Sequence, residues 1–226
     1  MPGDRLVLRI LIVSAGMSPT GRANDSADFV RALSRGLIAL GHDARVAMPS
    51  YPFVEDDARL NVRPVLDDLC ITWDDGSMRR AYVGTCLITG VPVYLVGGEG
   101  RFQQDARLDR EHDCLFFAKG VQAALRSIRP QWLPEVVHIN DSCPGLTAVY
   151  LNALYLREWD IQTTAFITTV HGDADSRRAN TLVTGSRLHP DVRVIRRYSS
   201  GRRLAGVYER IYDEALSQPE VRALAA

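Results

Sequence analysis

Arg9 to Pro52, RILIVSAGMSPTGRANDSADFVRALSRGLIALGHDARVAMPSYP, decides the fold. Leu8 to Val13 is a continuous apolar run of strand length, the pattern of a central parallel strand buried on both faces. Residues 14–25 are rich in Ser, Gly, Pro, Thr and Asn and read as a loop. From Ser26 onward Phe29, Val30, Leu33, Leu37 and Leu40 recur at helical spacing, and Gly41 ends the helix. Asp43 to Met48 supplies a second strand. Together these make one βαβ unit, and the loop leaving its first strand is where such units hold ligands.

Outward from this unit, residues 53–66 are irregular and acidic. Cys70–Trp73 and Met78–Leu87 flank Asp75-Gly76, a hairpin signal. Val91–Val96 reads as a further strand, and Gly97, Gly98 and Gly100 after it as a turn. Residues 65–96 are therefore expected to form a β-rich hairpin insertion in or beside the main sheet. Cys114, Phe117, Val121, Leu125 and Ile128 share one face of a helix over residues 111–129, which Pro130 and Pro134 stop. Glu135–Ile139 is a strand, Asn140–Gly145 a loop, Leu146–Leu156 a helix, and Thr164–Val170 a strand that runs into His171-Gly172. Alternation of this kind predicts an α/β fold, a Rossmann-like parallel sheet flanked by helices, in one domain over residues 1–226. Beyond His171 the pattern weakens. Arg187–Arg203 holds six Arg against one Asp and is expected to be a solvated, partly disordered segment. Gly206–Leu216 is a candidate closing helix.

Composition bounds the function. The chain has 226 residues, 46% hydrophobic and 24% charged, with a formal net charge of zero. That balance gives no global electrostatic case for nucleic acid or an anionic membrane. No run approaches the length of a membrane span, and the first residues lack the pattern of a cleaved leader, so a cytoplasmic location is expected. Of 27 basic residues only Lys119 is lysine, which leaves general-base lysine chemistry one candidate at most. Cys70, Cys86, Cys114 and Cys143 form no CxxC pair, so no metal site is expected and free thiols are the default.

Five blocks, in order, resemble a known family. RILIVSAGMSP is similar to its opening strand, and ADFVRALSRGLIALGHDARVAMPSYP to its first helix and second strand, with the Gly-His-Asp turn and a closing Pro-x-Tyr-Pro. GVPVYLV resembles a later strand, EVVHINDSCPGLTAVYL the block His-x-His-Asp-Trp-His-x-Gly-Leu, and TTAFITTVHG the strand ending in Thr-Val-His-Asn. The family is that of the starch and glycogen synthases, and the resemblance covers the N-terminal half of these two-domain (GT-B) glucosyltransferases, over residues 9–172. It implies retaining transfer of glucose from ADP-glucose to an α-1,4-glucan, without a cofactor. It also implies that a second domain supplies most of the nucleotide site.

Carried over residue by residue, the family's Lys-x-Gly-Gly-Leu loop falls on Arg22, Asn24, Asp25 and Ser26. Charge is kept at Arg22 while both glycines are lost. Backbone N–H groups approach a phosphate closely only where no side chain intervenes, and Asp25 adds a carboxylate beside an anion. In the later block His138 and Asp141 match, the family's second His becomes Asn140, its Trp Ser142, and its last His Cys143. His171 matches at the end of the last strand. Candidate catalytic residues are therefore Asp141 and His171, and candidate substrate-binding residues are Arg22, Asn24, Asp25, His138, Asp141, Cys143 and His171. Each has a plainer reading beside it. Arg22 suits a solvated charge, His138 a buried hydrogen-bonded histidine, Asp141 a helix cap, and Cys143 a thiol near a helix start. The expected function is a glucosyltransferase half that is inactive alone, completed by a second subunit or a further copy. The alternatives are a non-catalytic module that binds glucan or protein, and a truncated product without a selected role.

Overall fold

In the computed structural model, described for residues 6–19, 25–73, 75–98, 102, 111–128, 131–140, 165–170, 191–194 and 201–217, the opening stretch folds as its pattern demands. Strand β1 (Arg9–Val13) is buried from Ile10 onward. Helix α1 (Asp25–Ala39) turns Phe29, Val30, Leu33 and Leu37 onto the sheet, each with no exposed surface. The chain reverses at Gly41, whose φ of 97° a side chain would resist, and enters β2 (Asp43–Pro49).

A short helix α2 (Pro52–Glu55) and a 3-10 turn (Ala58–Leu60) lead into β3 (Arg63–Thr72), β4 (Met78–Ile88) and β5 (Val91–Gly98). Then follow α3 (Glu111–Ile128), β6 (Val136–Asn140), β7 (Ala165–Val170), β8 (Asp191–Val194) and α4 (Gly201–Leu216). All eight strands join one sheet in the order β3-β4-β5-β2-β1-β6-β7-β8. From β5 across to β8 every pairing is parallel; β4 is antiparallel to both β3 and β5. The expected insertion is thus not a separate layer. It extends the main sheet at one edge, joined by a two-residue turn in which Thr89 (φ 51°) and Gly90 (φ 83°) both take positive φ, as a hairpin's twist requires.

Four readings of the sequence are corrected. First, β3 begins at Arg63, well before Cys70. Its first half is an exposed edge with shifted register between Pro64 and Leu66 and again between Leu66 and Leu69, so it carries no alternation to read. Second, Gly97 and Gly98 are strand residues, not a turn. The rings of Tyr82 and Phe116 occupy the space a Cβ would need at these two positions. Third, part of the Arg-rich segment is the edge strand β8, and α4 starts at Gly201, a turn earlier than Gly206. A four-residue strand is too short to show a period, and Gly201 and Gly206 look like breakers when their packing is unseen. Fourth, Cys114 is disulfide-bonded, while Cys70 and Cys86 are free thiols. Spacing along a chain does not say which cysteines meet in space. The expected helix over residues 146–156 lies outside the described residues.

Helix α4 closes one face. It buries Leu204, Ala205, Tyr208, Ile211, Tyr212 and Ala215 against α1 and the sheet. The two helices cross where side chains are smallest. A Cβ on Gly36 would overlap the Gly201 carbonyl and stand 2.8 Å from the Ala205 Cβ; one on Gly201 would stand 2.6 Å from the Ala32 carbonyl oxygen.

Candidate functional site

Ligands of open α/β sheets bind beyond the carboxyl ends of the strands. Here those ends are β1, β6 and β7 at the centre, with β2 and β5 beside them. After β1 the chain folds back on α1. Met17 is fully buried, Ser18 N–H donates to the Ala27 carbonyl (3.1 Å), and the Ser18–Pro19 peptide is cis. Ser14 is also fully buried; its N–H donates to Ala47 and its hydroxyl to the Gly16 carbonyl, at 3.0 Å each. From the end of β2, the Tyr51 hydroxyl donates to the Ala15 carbonyl (2.8 Å), and its ring stacks on Phe53.

Asn140 ties three of these pieces together. It is the last residue of β6 and has no exposed surface. Its Nδ2 donates to Ser26 Oγ (2.8 Å) in the first turn of α1 and reaches Ser14 Oγ at 3.4 Å. The amide is thereby consumed in fixing the start of α1 against the ends of β1 and β6. Beside the mouth, Glu55 Oε1 accepts from Ser50 Oγ (2.6 Å) and from the Tyr82 hydroxyl.

Below the mouth lies a second polar network. His138 has no exposed surface, and both ring nitrogens are engaged: Nδ1 with the Tyr212 hydroxyl (2.7 Å) and Nε2 with Thr169 Oγ1 (2.8 Å). Thr169 Oγ1 also meets the Tyr208 hydroxyl at 2.7 Å, and the Tyr208 ring stacks on His138 with centroids 4.9 Å apart. Burial pushes the Tyr208 and Tyr212 phenols above their ordinary range, so they stay protonated. The network joins β6 and β7 to α4. Its groups bond to one another, as buried polar groups must.

The structure therefore places His138 in the core beneath the mouth. Asp25 is the first residue of α1, at the positive end of that helix's dipole. Arg22, Asn24, Asp141, Cys143 and His171 lie outside the described residues; Asp141 and His171 directly follow β6 and β7 in sequence. Among the described residues no cluster of His, Cys, Asp or Glu could hold a metal ion. Sequence reasoning missed Tyr51, Tyr208 and Tyr212. Tyr208 and Tyr212 are four apart on one face of α4, a helical-spacing signal that lay inside the expected closing helix Gly206–Leu216.

A parallel sheet of this order, with its polar mouth at the strand carboxyl ends, defines a Rossmann-like domain of the kind that makes up one half of a GT-B glycosyltransferase. The family model for the starch synthase catalytic domain matches residues 9–194, from β1 through β8, and the chain belongs to that family. A glycogen synthase of Moorella thermoacetica is 31% identical over 170 residues, covering 73% of this chain and 33% of that protein. One from Trichodesmium erythraeum is 31% identical over 150 residues, covering 64% and 30%. The chain thus spans about a third of the length of these curated relatives. The catalytic domain of starch synthase IV from Arabidopsis thaliana, bound to ADP and acarbose, shares the fold with a TM-score of 0.63 at 18% identity, over 74% of this chain and 34% of that one. A sucrose-phosphate synthase structure from Thermosynechococcus elongatus shares it with a TM-score of 0.51 at 13% identity, over 91% and 98%.

Proposed function

We propose that this chain carries the first half of a glucosyltransferase of starch and glycogen synthase type, which takes part in transfer from ADP-glucose to an α-1,4-glucan together with a second domain. The observation that carries the reading is the family match over residues 9–194, which runs through every strand that ends at the mouth. From the resemblance, Asp141 and His171 are the candidate catalytic residues, and Arg22, Asn24, Asp25 and Cys143 are candidate substrate-binding residues. Electrostatic stabilisation of a leaving diphosphate is a dominant catalytic contribution, and one lost donor costs about 10²–10³ in rate. The degenerate loop at Asn24 and Asp25 offers little of it. The purified chain is therefore expected to show no glucan elongation from ADP-glucose above a boiled control; turnover by the chain alone would overturn this reading.

One observation favours a second reading, a non-catalytic module that binds glucan or protein. Asn140 stands where the resemblance puts a histidine, and its amide is held by Ser14 and Ser26 inside the fold. Titration calorimetry separates the two. ADP-glucose binding supports the transferase half, whereas maltooligosaccharide binding without it supports the module. No helix among the described residues is long and apolar enough to cross a membrane.

A further inference from the structure

The α1–α4 crossing leaves a groove that neither reading uses. Gly36 and Gly201 bring the two backbones into contact, and a groove opens beside the crossing among the described residues. This open groove, of about 370 Å³, is lined by Arg31, Arg35 and Arg202 together with Ala32, Gly36, Ala39 and Gly201. No acidic residue lines it among the described residues. Asp28 pairs with Arg31 (3.1 Å), but Arg35 and Arg202 make no ion pair among the described residues. Arg31 Nε is buried and has no hydrogen-bond partner among the described residues, while the Arg31 side chain as a whole is partly exposed. The first turn of α4, Gly201–Arg202, adds the positive end of a 16-residue helix.

Three guanidinium groups against one carboxylate, a backbone floor, and a volume in the ordinary range of small-molecule pockets form one chemical preference. Planar guanidinium forks pair with phosphate oxygens in bidentate fashion, so several arginines facing one groove suit a multiply charged phosphate-bearing anion. Arg35 is ten residues along α1 from Asp25, about 15 Å at the helical rise, so the groove is distinct from the mouth of the sheet.

We propose that the groove between α1 and α4 is a binding site for a small phosphate-bearing anion. Occupancy bridges the two helices and so tightens the packing that closes the domain. The test is titration calorimetry and thermal unfolding of the whole chain with sodium pyrophosphate at constant ionic strength. Saturable one-to-one binding with a rise in Tm is expected. Arg35→Ala/Arg202→Ala should weaken it at least about tenfold, while Arg63→Ala, an exposed arginine on β3, should leave it unchanged. Parallel arms with inorganic phosphate, a hexose phosphate and a nucleoside diphosphate distinguish the source of the phosphate group. A second readout avoids reliance on variants: pyrophosphate should protect Arg31, Arg35 and Arg202, but not Arg63, from phenylglyoxal as mapped by mass spectrometry. Equal affinity in the double variant, a response that does not saturate or tracks ionic strength (an adventitious ion only), or absence of protection would each overturn the proposal.

Discussion

At the scale of single residues, His138 shows a position offered by the family resemblance serving the core. The resemblance offers it as a sugar contact, and the fold encloses it among Tyr208, Tyr212 and Thr169. His138→Ala would remove a buried ring and strip the Tyr212 hydroxyl of its partner. Cavity and lost hydrogen bonds together should cost about 2–4 kcal/mol of stability. Tyr212→Phe deletes one hydroxyl and keeps the ring, so about 1 kcal/mol is expected. Urea unfolding midpoints give both values. A His138→Ala protein of unchanged stability but lost ligand affinity would show the histidine to be a binding group after all. The same network sets an alkaline limit. In the unfolded chain tyrosines ionise near pH 10, whereas in the fold Tyr208 and Tyr212 ionise only at higher pH. Their contribution is therefore complete below about pH 10 and is lost as pH rises above it, since the unfolded state releases protons that the folded state keeps. Cys86, which burial pushes up to about 11 from 9.0, acts with the same sign over that lower window. Tm measured between pH 8 and pH 11 should fall, and Tyr208→Phe/Tyr212→Phe should flatten the fall.

At the scale of elements, the decisive contact is the α1–α4 crossing, and two glycines there make opposite predictions. In an exposed helix Gly→Ala gains about 0.8–1 kcal/mol from propensity alone. Gly206 has open space where a Cβ would point, so Gly206→Ala should stabilise by about that amount. At Gly36 the new methyl would meet the Gly201 carbonyl and the Ala205 Cβ, and the helices would have to separate. Overpacking of that kind costs about 1–3 kcal/mol, which exceeds the propensity gain, so Gly36→Ala should destabilise. Denaturation midpoints of the two variants, measured side by side, check the reversal of sign. The helices also show what a sequence can reveal about itself. The apolar stripe of α1 was readable because Phe29, Val30, Leu33 and Leu37 repeat at helical spacing. The small-residue stripe Ala32, Gly36, Gly201 and Ala205 was not, because closeness between two backbones leaves only an absence of side chains in the sequence. For the same reason Gly97 and Gly98 read as a turn until Tyr82 and Phe116 were seen filling their places.

At the scale of the whole molecule, the interior strands of the sheet were legible and its two edge strands were legible only in part or not at all. β1 from Ile10 onward, the second half of β2 and all of β6 are buried on both faces, which favours apolar runs in the sequence. β3 and β8 are edges, where pairing on one side tolerates proline, charge and bulges, so no such record is kept. The mouth was legible by position and by resemblance, but the bonds that Asn140 makes there are long-range and could not be read from its neighbours. The same reasoning bears on α4, whose apolar face was visible in part but whose partner was not. That helix brings six buried side chains to the sheet and to α1, including two tyrosines that complete the His138 network. At about 1.5–3 kcal/mol for each large side chain, its burial contributes on the order of 10 kcal/mol before entropy is counted, comparable to the whole stability of a typical domain. A chain ending at residue 200 should therefore lose cooperative unfolding, expose apolar surface to a hydrophobic dye, and recover a sharp transition when a peptide of residues 201–217 is added. If the shortened chain melts as sharply and at the same temperature as the whole, α4 is an appendage and the closure argued for it is wrong.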